Sequence, residues 1–317
     1  MVAYSNHNSV RLEVELVPPA LIYRIGVMDQ NIKLYNNVRR SRRAVLFISL
    51  LIISGSLSGC GGRDEKDIVN YVSDLGKKDF ILRMGAANLL SQEAKETDVI
   101  AVPYLEITLQ DPREEIRRYS AQALGRIRDY SSIPSLIDGL KQENDEVRYD
   151  CILALGGFED PRVAEAIIGN TNDESSYVRW ASMETLGKLK AQEAYPNLIA
   201  GLKDSSSYVR SASAKGLGLL GDKRAIPKLR SSIYNTNLWV RNSAALALAR
   251  LGDKEGIPIL IMNLSSDARD KKGYVCDQAA DFLREISGEN FGFNSSDPSP
   301  KQRATIKRWK NWLEKQK

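Results

Sequence analysis

Hydrophobic residues recur along this chain at a constant interval of 31 residues, as from Ile116 to Val147. In each copy an aliphatic residue precedes an arginine, and a leucine follows eight residues later. Offsets 0, 4, 7, 8 and 11 from the aliphatic residue fall on one face of an α-helix, so the pattern predicts an amphipathic helix. The pairs are Ile116-Arg117, Val147-Arg148, Val178-Arg179, Val209-Arg210 and Val240-Arg241, and the leucines are Leu124, Leu155, Leu186, Leu217 and Leu248.

A proline keeps the same spacing and predicts a shorter helix ahead of each amphipathic one. Proline suits a first helical turn, because its missing N–H would have no intrahelical partner there. Capping types such as aspartate and asparagine then separate the two helices. The prolines are Pro103, Pro134, Pro196, Pro227 and Pro258, with Glu165 in the one copy that lacks a proline. Each copy is therefore predicted to be a helical hairpin.

Two less regular copies flank the five, which gives about seven hairpins over residues 67–288. Leu82-Arg83 with Leu90 opens the array, and Val275 with Leu283 closes it, each at a slightly longer interval than the regular one. One hairpin cannot bury its apolar stripe alone, so neighbouring hairpins must stack to complete the core. The predicted fold is all-α, an α-solenoid (alpha-alpha superhelix).

These hairpins resemble the HEAT repeat, particularly the short bacterial type named for phycobilisome lyases. The resemblance rests on the proline, the aspartate eight residues later and the Val-Arg pair five residues beyond that. In that family the aspartate and arginine form a hydrogen-bond ladder between units. Gln142 and Asn235 depart from the pattern by replacing the acid. The resemblance implies a structural ladder made by Asp111, Arg117, Asp173, Arg179, Asp204 and Arg210.

Residues 1–59 have the pattern of a secretory leader. A basic segment, Arg39 to Arg43, precedes the apolar run AVLFISLLII, which is shorter than the roughly 20 residues of a membrane span. The tetrad that ends at Cys60 resembles the lipobox of bacterial lipoproteins, which implies lipidation of Cys60 and cleavage before it. An uncleaved signal anchor and a simple secretory peptide are the alternatives. Residues 1–27 fit no signal pattern, and we expect the true start at Met28.

The same resemblance implies a place in the cell envelope. Gly61 follows Cys60, which resembles outer-membrane sorting in proteobacterial lipoproteins, on the periplasmic face if the cell is Gram-negative. Inner-membrane anchoring and secretion are the alternatives. Residues 60–66 would be the lipidated tether, and several acyl chains on one residue give stable anchoring.

Composition narrows the chemistry of the mature chain. The formal net charge is +5, but from Cys60 onward the chain has 38 basic and 37 acidic residues, so we expect no nucleic-acid partner. The single histidine, His7, lies in the leader, which removes the usual general base and metal ligand. We therefore expect no catalytic residues, metal or cofactor. Cys151 and Cys276 occupy apolar repeat positions, typical of buried thiols, although a disulfide between them is the alternative.

A row of aromatic residues marks the candidate partner surface. In HEAT arrays the second helices line the concave side, where offset +2 points away from the core and offset −1 borders that face. Offset +2 holds Arg118, Tyr149, Trp180, Ser211 and Asn242, and offset −1 holds Glu115, Glu146, Tyr177, Tyr208, Trp239 and Tyr274. Exposed Tyr and Trp anchor protein interfaces, so we expect the aromatic members to bind a protein partner. The alternative is that the rings pack between neighbouring units.

The last segment, residues 289–317, is predicted to be a loop and a capping helix. Ile306, Trp309 and Leu313 share one face of that helix, and Trp312 adjoins it. A solenoid needs such a cap because its last unit otherwise exposes apolar surface; a separate ligand site is the alternative. This stretch also resembles the ends of other bacterial HEAT-repeat lipoproteins.

The predicted function is that of a membrane-anchored scaffold for protein–protein interactions. One alternative is a lyase-like or other catalytic HEAT-repeat protein, for which the candidate carboxylates are Asp138, Glu146, Asp150 and Glu184. Another is a structural assembly factor of an outer-membrane complex.

Overall fold

The computed structural model describes residues 65–265 and 274–315. The predicted leader, the start at Met28, the lipidation site Cys60 and most of the tether lie outside the described residues. Within the described ranges the regular structure is helical throughout, with no strand.

Fifteen α-helices form seven consecutive hairpins and one final helix within the described ranges. Odd-numbered helices up to α13 are the first helices of the hairpins, and even-numbered helices are the second. In chain order they are α1 (Glu65–Leu75), α2 (Phe80–Glu93), α3 (Val102–Thr108), α4 (Glu114–Ile127), α5 (Ile133–Gly139), α6 (Asp145–Leu155), α7 (Pro161–Ile168), α8 (Ser176–Lys188), α9 (Tyr195–Gly201), α10 (Ser207–Leu220), α11 (Ile226–Ser232), α12 (Leu238–Arg250), α13 (Gly256–Met262), α14 (Tyr274–Ser287) and α15 (Ser299–Glu314). The predicted all-α solenoid of about seven hairpins is confirmed.

One hydrophobic core runs the length of the array, from Val72 to Trp309. The aliphatic residue and the leucine of each of the five regular copies are fully buried. Leu82 differs, because its side chain is 43% exposed. The opening hairpin has no described neighbour on its outer side, so its core relies on Ala86, Ala87 and Leu90 instead.

Proline marks the start of the first helices as predicted, with one variation. Pro103, Pro134, Pro196 and Pro227 lie in the first turns of α3, α5, α9 and α11, each behind a short 3-10 turn. In the copy with Glu165, α7 begins three residues earlier, at Pro161, and Asp160 caps it by accepting a hydrogen bond from the Arg162 N–H. A proline therefore still starts this helix, at a shifted position.

Second helices pack closely against one another, whereas consecutive first helices make few contacts. At the tightest point a Cβ placed on Gly187 would lie 2.4 Å from the Cα of Gly216 in the next hairpin. Gly125 and Gly218 make the equivalent approaches to Ala154 and Ala247. Because one layer packs more closely than the other, the array curves with its second helices on the concave side.

The carboxyl-terminal helix closes the array. Trp309 is 1% exposed and makes edge-to-face contacts with Phe291 at 4.6 Å and Trp312 at 5.7 Å between ring centroids. Phe293, from the preceding loop, is buried against the same core. These contacts give α15 the packing expected of a cap. In the described parts of the chain, no helix is both long and apolar enough to cross a bilayer.

Candidate protein-binding groove

The concave face carries a groove of about 590 Å³ between residues of α8, α10, α12 and α14. Its lining residues include Trp180, Tyr208, Lys215, Trp239, Arg250 and Phe282. A smaller cavity of about 310 Å³ continues the concave face over α2, α4 and α6, beside Gln122 and Asp150. The groove is wide and open along the array, which suits an extended segment better than a compact ligand.

Two tyrosines of the predicted aromatic row are largely exposed to solvent. Tyr177 is 66% exposed and Tyr208 is 70% exposed, and each is the second residue of its second helix. Tyr208 lines the groove, and Tyr177 lies one helical turn before Trp180, which also lines it. Trp239, at the same position of the next hairpin, is half-buried and lines the groove wall. Rings that keep this much exposed surface are available to a partner.

Tyr149 and Trp180 take the alternative role, packing between units. Their rings stack across α6 and α8 with centroids 6.0 Å apart and an interplanar angle of 17°. Both side chains are half-buried against the core. The predicted row is therefore divided: one pair of rings joins adjacent hairpins, and Trp180 of that pair also lines the groove.

One residue assigned to the solvent face was placed wrongly. Asn242 is fully buried, because Asn263, which follows α13, donates a 2.9 Å hydrogen bond to its Oδ1 atom. The other non-aromatic members at this offset make contacts between second helices: Arg118 reaches Asp150, and the hydroxyl of Ser211 bonds that of Ser243. Tyr274 is the first residue of α14, and its side chain lies outside the described residues.

Most charged residues that line the groove contact an opposite charge or an aromatic ring, and Glu285 is the exception among the described residues. The Glu184 carboxylate lies 3.0 Å from Lys188 Nζ and 3.1 Å from Lys215 Nζ. Burial raises the pKa of Glu184, but the two lysines outweigh burial, so that the pKa falls below its ordinary value. The Arg250 guanidinium lies 4.9 Å from the centroid of the Phe282 ring. The floor of the groove is thus largely neutralised, leaving aromatic and hydroxyl groups to face a partner.

Sequence reasoning missed Phe282 and Arg250 as groove residues. Phe282 takes the position seven residues after the leading aliphatic, where earlier copies have small residues that allow close helix packing. Those residues are Ala123, Ala154, Thr185, Gly216 and Ala247. A large ring at this position was the available signal, because it cannot pack there in the same way.

In the Asp–Arg ladder, each aspartate lies in the turn of a hairpin and contacts the arginine of that hairpin and the arginine of the preceding one. Arg179 Nη1 donates a 2.8 Å hydrogen bond to the backbone oxygen of Asp173, and Arg117 and Arg210 do the same at 2.7 Å to Asp111 and Asp204. The aspartate carboxylates bind arginines of the preceding hairpin, a link the resemblance did not specify. These pairs are Arg83 with Asp111 at 2.6 Å, Arg148 with Asp173 at 2.8 Å and Arg179 with Asp204 at 2.8 Å.

The two copies without the acid interrupt this ladder. The Nε atoms of Arg117 and Arg210 are buried and have no hydrogen-bond partner among the described residues. Arg148 and its partner Asp173 are 25 residues apart. The residues 25 positions after Arg117 and Arg210 are Gln142 and Asn235, which stand where the aspartate partner would be. The ladder is therefore structural where complete and broken at these two positions.

The acids considered for catalysis all form ion pairs. Asp138 pairs with Lys141 and Glu184 with two lysines, while Glu146 and Asp150 share Arg118. Burial raises the pKa of Asp150 above its ordinary value despite hydrogen bonds from Gln122 and Arg118, which lower it. No cluster with metal-binding composition occurs in the described residues.

Cys151 and Cys276 are both buried, and neither is in a disulfide within the described structure. Burial raises the pKa of the Cys151 thiol far above its ordinary value, which keeps it protonated. The first interpretation of these two cysteines, as core thiols, therefore fits the structure.

Comparisons with known proteins agree with this architecture. HEAT repeats match residues 101–187, 133–212, 166–238 and 195–273, which together make more than half of the chain. No curated protein matches the chain by sequence.

Several solved structures share the fold. YibA of Escherichia coli is 18% identical and has a TM-score of 0.50, with 83% of this chain and 99% of YibA covered. The complex of CpcE and CpcF of phycocyanin lyase from Nostoc sp. PCC7120 is 21% identical, with coverage of 81% and 98% and a TM-score of 0.49. A designed armadillo repeat protein in complex with the peptide (KR)4 is 17% identical, with coverage of 58% and 99% and a TM-score of 0.46. The stacked hairpins and the matched residues together show that this chain belongs to the HEAT-repeat family.

Proposed function

We propose that this protein is a membrane-anchored scaffold of the cell envelope that binds an extended segment of a partner protein along its concave groove. The observation that carries the proposal is a groove of about 590 Å³ lined by Trp180, Tyr208 and Trp239, in which Tyr208 is 70% exposed. Tyr177 is 66% exposed at the same position of the preceding hairpin. Aromatic residues with polar surroundings are the usual anchors of protein interfaces. The anchor would be the lipidated Cys60, as the lipobox resemblance implies.

The geometry of the repeat supports an extended partner. Tyr177, Tyr208 and Trp239 occupy the same position in successive hairpins, and packed helix axes lie about 8–10 Å apart. Three residues of an extended segment in the polyproline II conformation span about 9 Å and bring the side chain back to the same face. Every third side chain of such a segment can therefore meet one aromatic residue, and the hydroxyls of Ser211 and Ser243 lie near enough to the groove for polar contacts.

A non-catalytic role fits the chemistry of the groove better than a lyase-like one. Its carboxylate Glu184 is held ionised by two lysines, and Asp281 is paired with Arg284. General acid–base catalysis needs a group that exchanges protons near the working pH. A structural role in assembling an outer-membrane complex is a form of the same scaffolding and uses the same groove.

Crosslinking in intact cells tests the proposed groove. A photoreactive amino acid replaces Tyr177, Tyr208 or Trp239 in three separate variants, and Tyr234 in a fourth. Tyr234 is the matched control, since it is 78% exposed but follows a first helix, whereas the three test positions lie in second helices. We expect the three groove positions to capture one protein, and mass spectrometry to map their crosslinks in order along one short segment of it.

Two results would contradict the proposal. The control position could capture the same segment with equal yield, or the three groove positions could capture unrelated proteins. Either outcome would show that exposure alone, and not the groove, determines what is captured.

A further inference from the structure

The exposed face of α15 is strongly cationic. Arg303, Lys307, Arg308 and Lys310 are all exposed, and none forms an ion pair with a described residue. Lys301 lies 3.0 Å from Asp297 and is the paired exception on this helix. Arg303, Lys307 and Lys310 fall on one face of the helix by their spacing, so that exposed face is predominantly basic.

This charge is concentrated in one place. Residues 299–317 contain seven basic residues and one acid, Glu314. Residues 60–298 contain 31 basic and 36 acidic residues, so the rest of the mature chain is slightly acidic. The net charge from residue 60 onward is therefore near zero, although one end of the array is locally basic. Such a basic region attracts anionic partners.

The chemistry of this surface favours a bilayer over a protein partner. All the large apolar residues of α15 point inward: Trp309 is buried, and Ile306, Trp312 and Leu313 pack against the core. The outer face has four cations without an ion pair among the described residues, and no large apolar side chain. Ala304, Asn311 and the single acid Glu314 are also exposed there. Protein interfaces depend on a few buried anchor side chains, which are missing from this described face, whereas anionic headgroups need only a spread of positive charge.

We propose that α15 binds the anionic phospholipid headgroups of a membrane surface through Arg303, Lys307, Arg308 and Lys310. This inference rests on the proposed envelope location, which puts such a surface within reach. It does not rest on the groove, because α15 packs beside α13, and the groove is lined by second helices.

Binding at α15 would give the array two attachments. The predicted lipid anchor lies at its amino-terminal end, and α15 lies at the other, six hairpin steps away, or on the order of 50–60 Å at the usual helix spacing. With both ends on the membrane, the solenoid lies along the bilayer and the groove is held in a fixed orientation to it.

Flotation with lipid vesicles tests the proposal. The protein is the chain from residue 60 with Cys60→Ser, which lacks lipid but keeps the whole described core from Val72 to Trp309. Vesicles contain phosphatidylcholine alone or with about one third phosphatidylglycerol. Each Lys or Arg near an anionic bilayer contributes about 1 kcal/mol, about fivefold in the partition coefficient. The triple variant Arg303→Gln, Lys307→Gln, Lys310→Gln should therefore bind about 100-fold more weakly.

A control variant separates this helix from total charge. Lys203→Gln, Lys223→Gln, Lys228→Gln removes three exposed cations from the fifth and sixth hairpins. It should leave binding within about twofold of the parent, since none of the three is on α15 and salt screens separated surface charges. Binding should also vanish on uncharged vesicles and fall steeply with salt.

Three results would overturn the proposal: equal loss of binding in both triple variants, binding to uncharged vesicles, or binding to a DNA duplex without binding to anionic vesicles. The vesicles contain no protein, so failure here leaves the groove untouched. Failure of the crosslinking experiment likewise leaves the vesicle result standing.

Discussion

Asp173→Ala is expected to lower the free energy of unfolding by about 3 kcal/mol, because it leaves the buried Arg148 guanidinium without its carboxylate partner. Arg148 donates two 2.8 Å hydrogen bonds to the Asp173 carboxylate, and the side chains are only 8% and 9% exposed. Asp173 also accepts a hydrogen bond from the Ser175 N–H at the start of α8. The expected fall in Tm is about 6–12 °C, measured by circular dichroism alongside urea unfolding.

The converse substitution is the control. Asn235→Asp places a carboxylate where the repeat predicts a partner for Arg210, whose buried Nε has none among the described residues. A charge-assisted hydrogen bond there should stabilise the protein by about 1 kcal/mol. If Asp173→Ala unfolds at the same urea concentration as the parent, or Asn235→Asp is destabilising, the ladder does not hold neighbouring hairpins together as described.

Gly187→Ala is expected to destabilise the protein by about 1–3 kcal/mol, although alanine is the better helix former. Its Cβ would lie 2.4 Å from the Gly216 Cα, so α8 and α10 must separate. The contact is between two backbones, which cannot move aside as a flexible side chain can. Thermal and urea unfolding measure the effect.

Gly85→Ala is the matched control, because the same change in α2 meets no atom within 4 Å. It should stabilise the protein by about 0.5–1 kcal/mol through helix propensity alone. Opposite signs for the two substitutions would establish close stacking of second helices. Equal stabilisation by both would mean that α8 and α10 are not in backbone contact.

The fold was predictable because its signal is repeated. Val147, Val178 and Val209 occupy the same core position in successive copies. Because several copies show the same residue type, the pattern is evident even where one copy differs. The proline at the start of the first helix is repeated in the same way. In the one copy with Glu165 at the usual proline position, Pro161 starts the helix instead. Periodicity was therefore enough to predict the helices, their pairing and their stacking.

The groove was only partly predictable, because its details depend on contacts between copies. A helical wheel places Asn242 outward, but it cannot show that Asn263 reaches back from the end of α13 to bury it. The same wheel places Trp180 on the solvent face and Tyr208 only at its border, whereas in the structure Trp180 stacks on Tyr149 and Tyr208 is 70% exposed. The link from Asp173 to the arginine of the preceding hairpin also needed three-dimensional positions.

The comparison of Trp180→Ala with Tyr208→Ala tests the central claim that the exposed aromatic residues of the concave face bind the partner. Both Tm and affinity for the captured partner segment are measured. Tyr208→Ala should keep Tm within about 1 °C of the parent and weaken binding about 30-fold, the loss typical of an interface anchor. Trp180→Ala should lower Tm by about 4–8 °C, since it removes the ring stacked on Tyr149. Unchanged affinity in Tyr208→Ala, together with a large loss of Tm, would contradict the account.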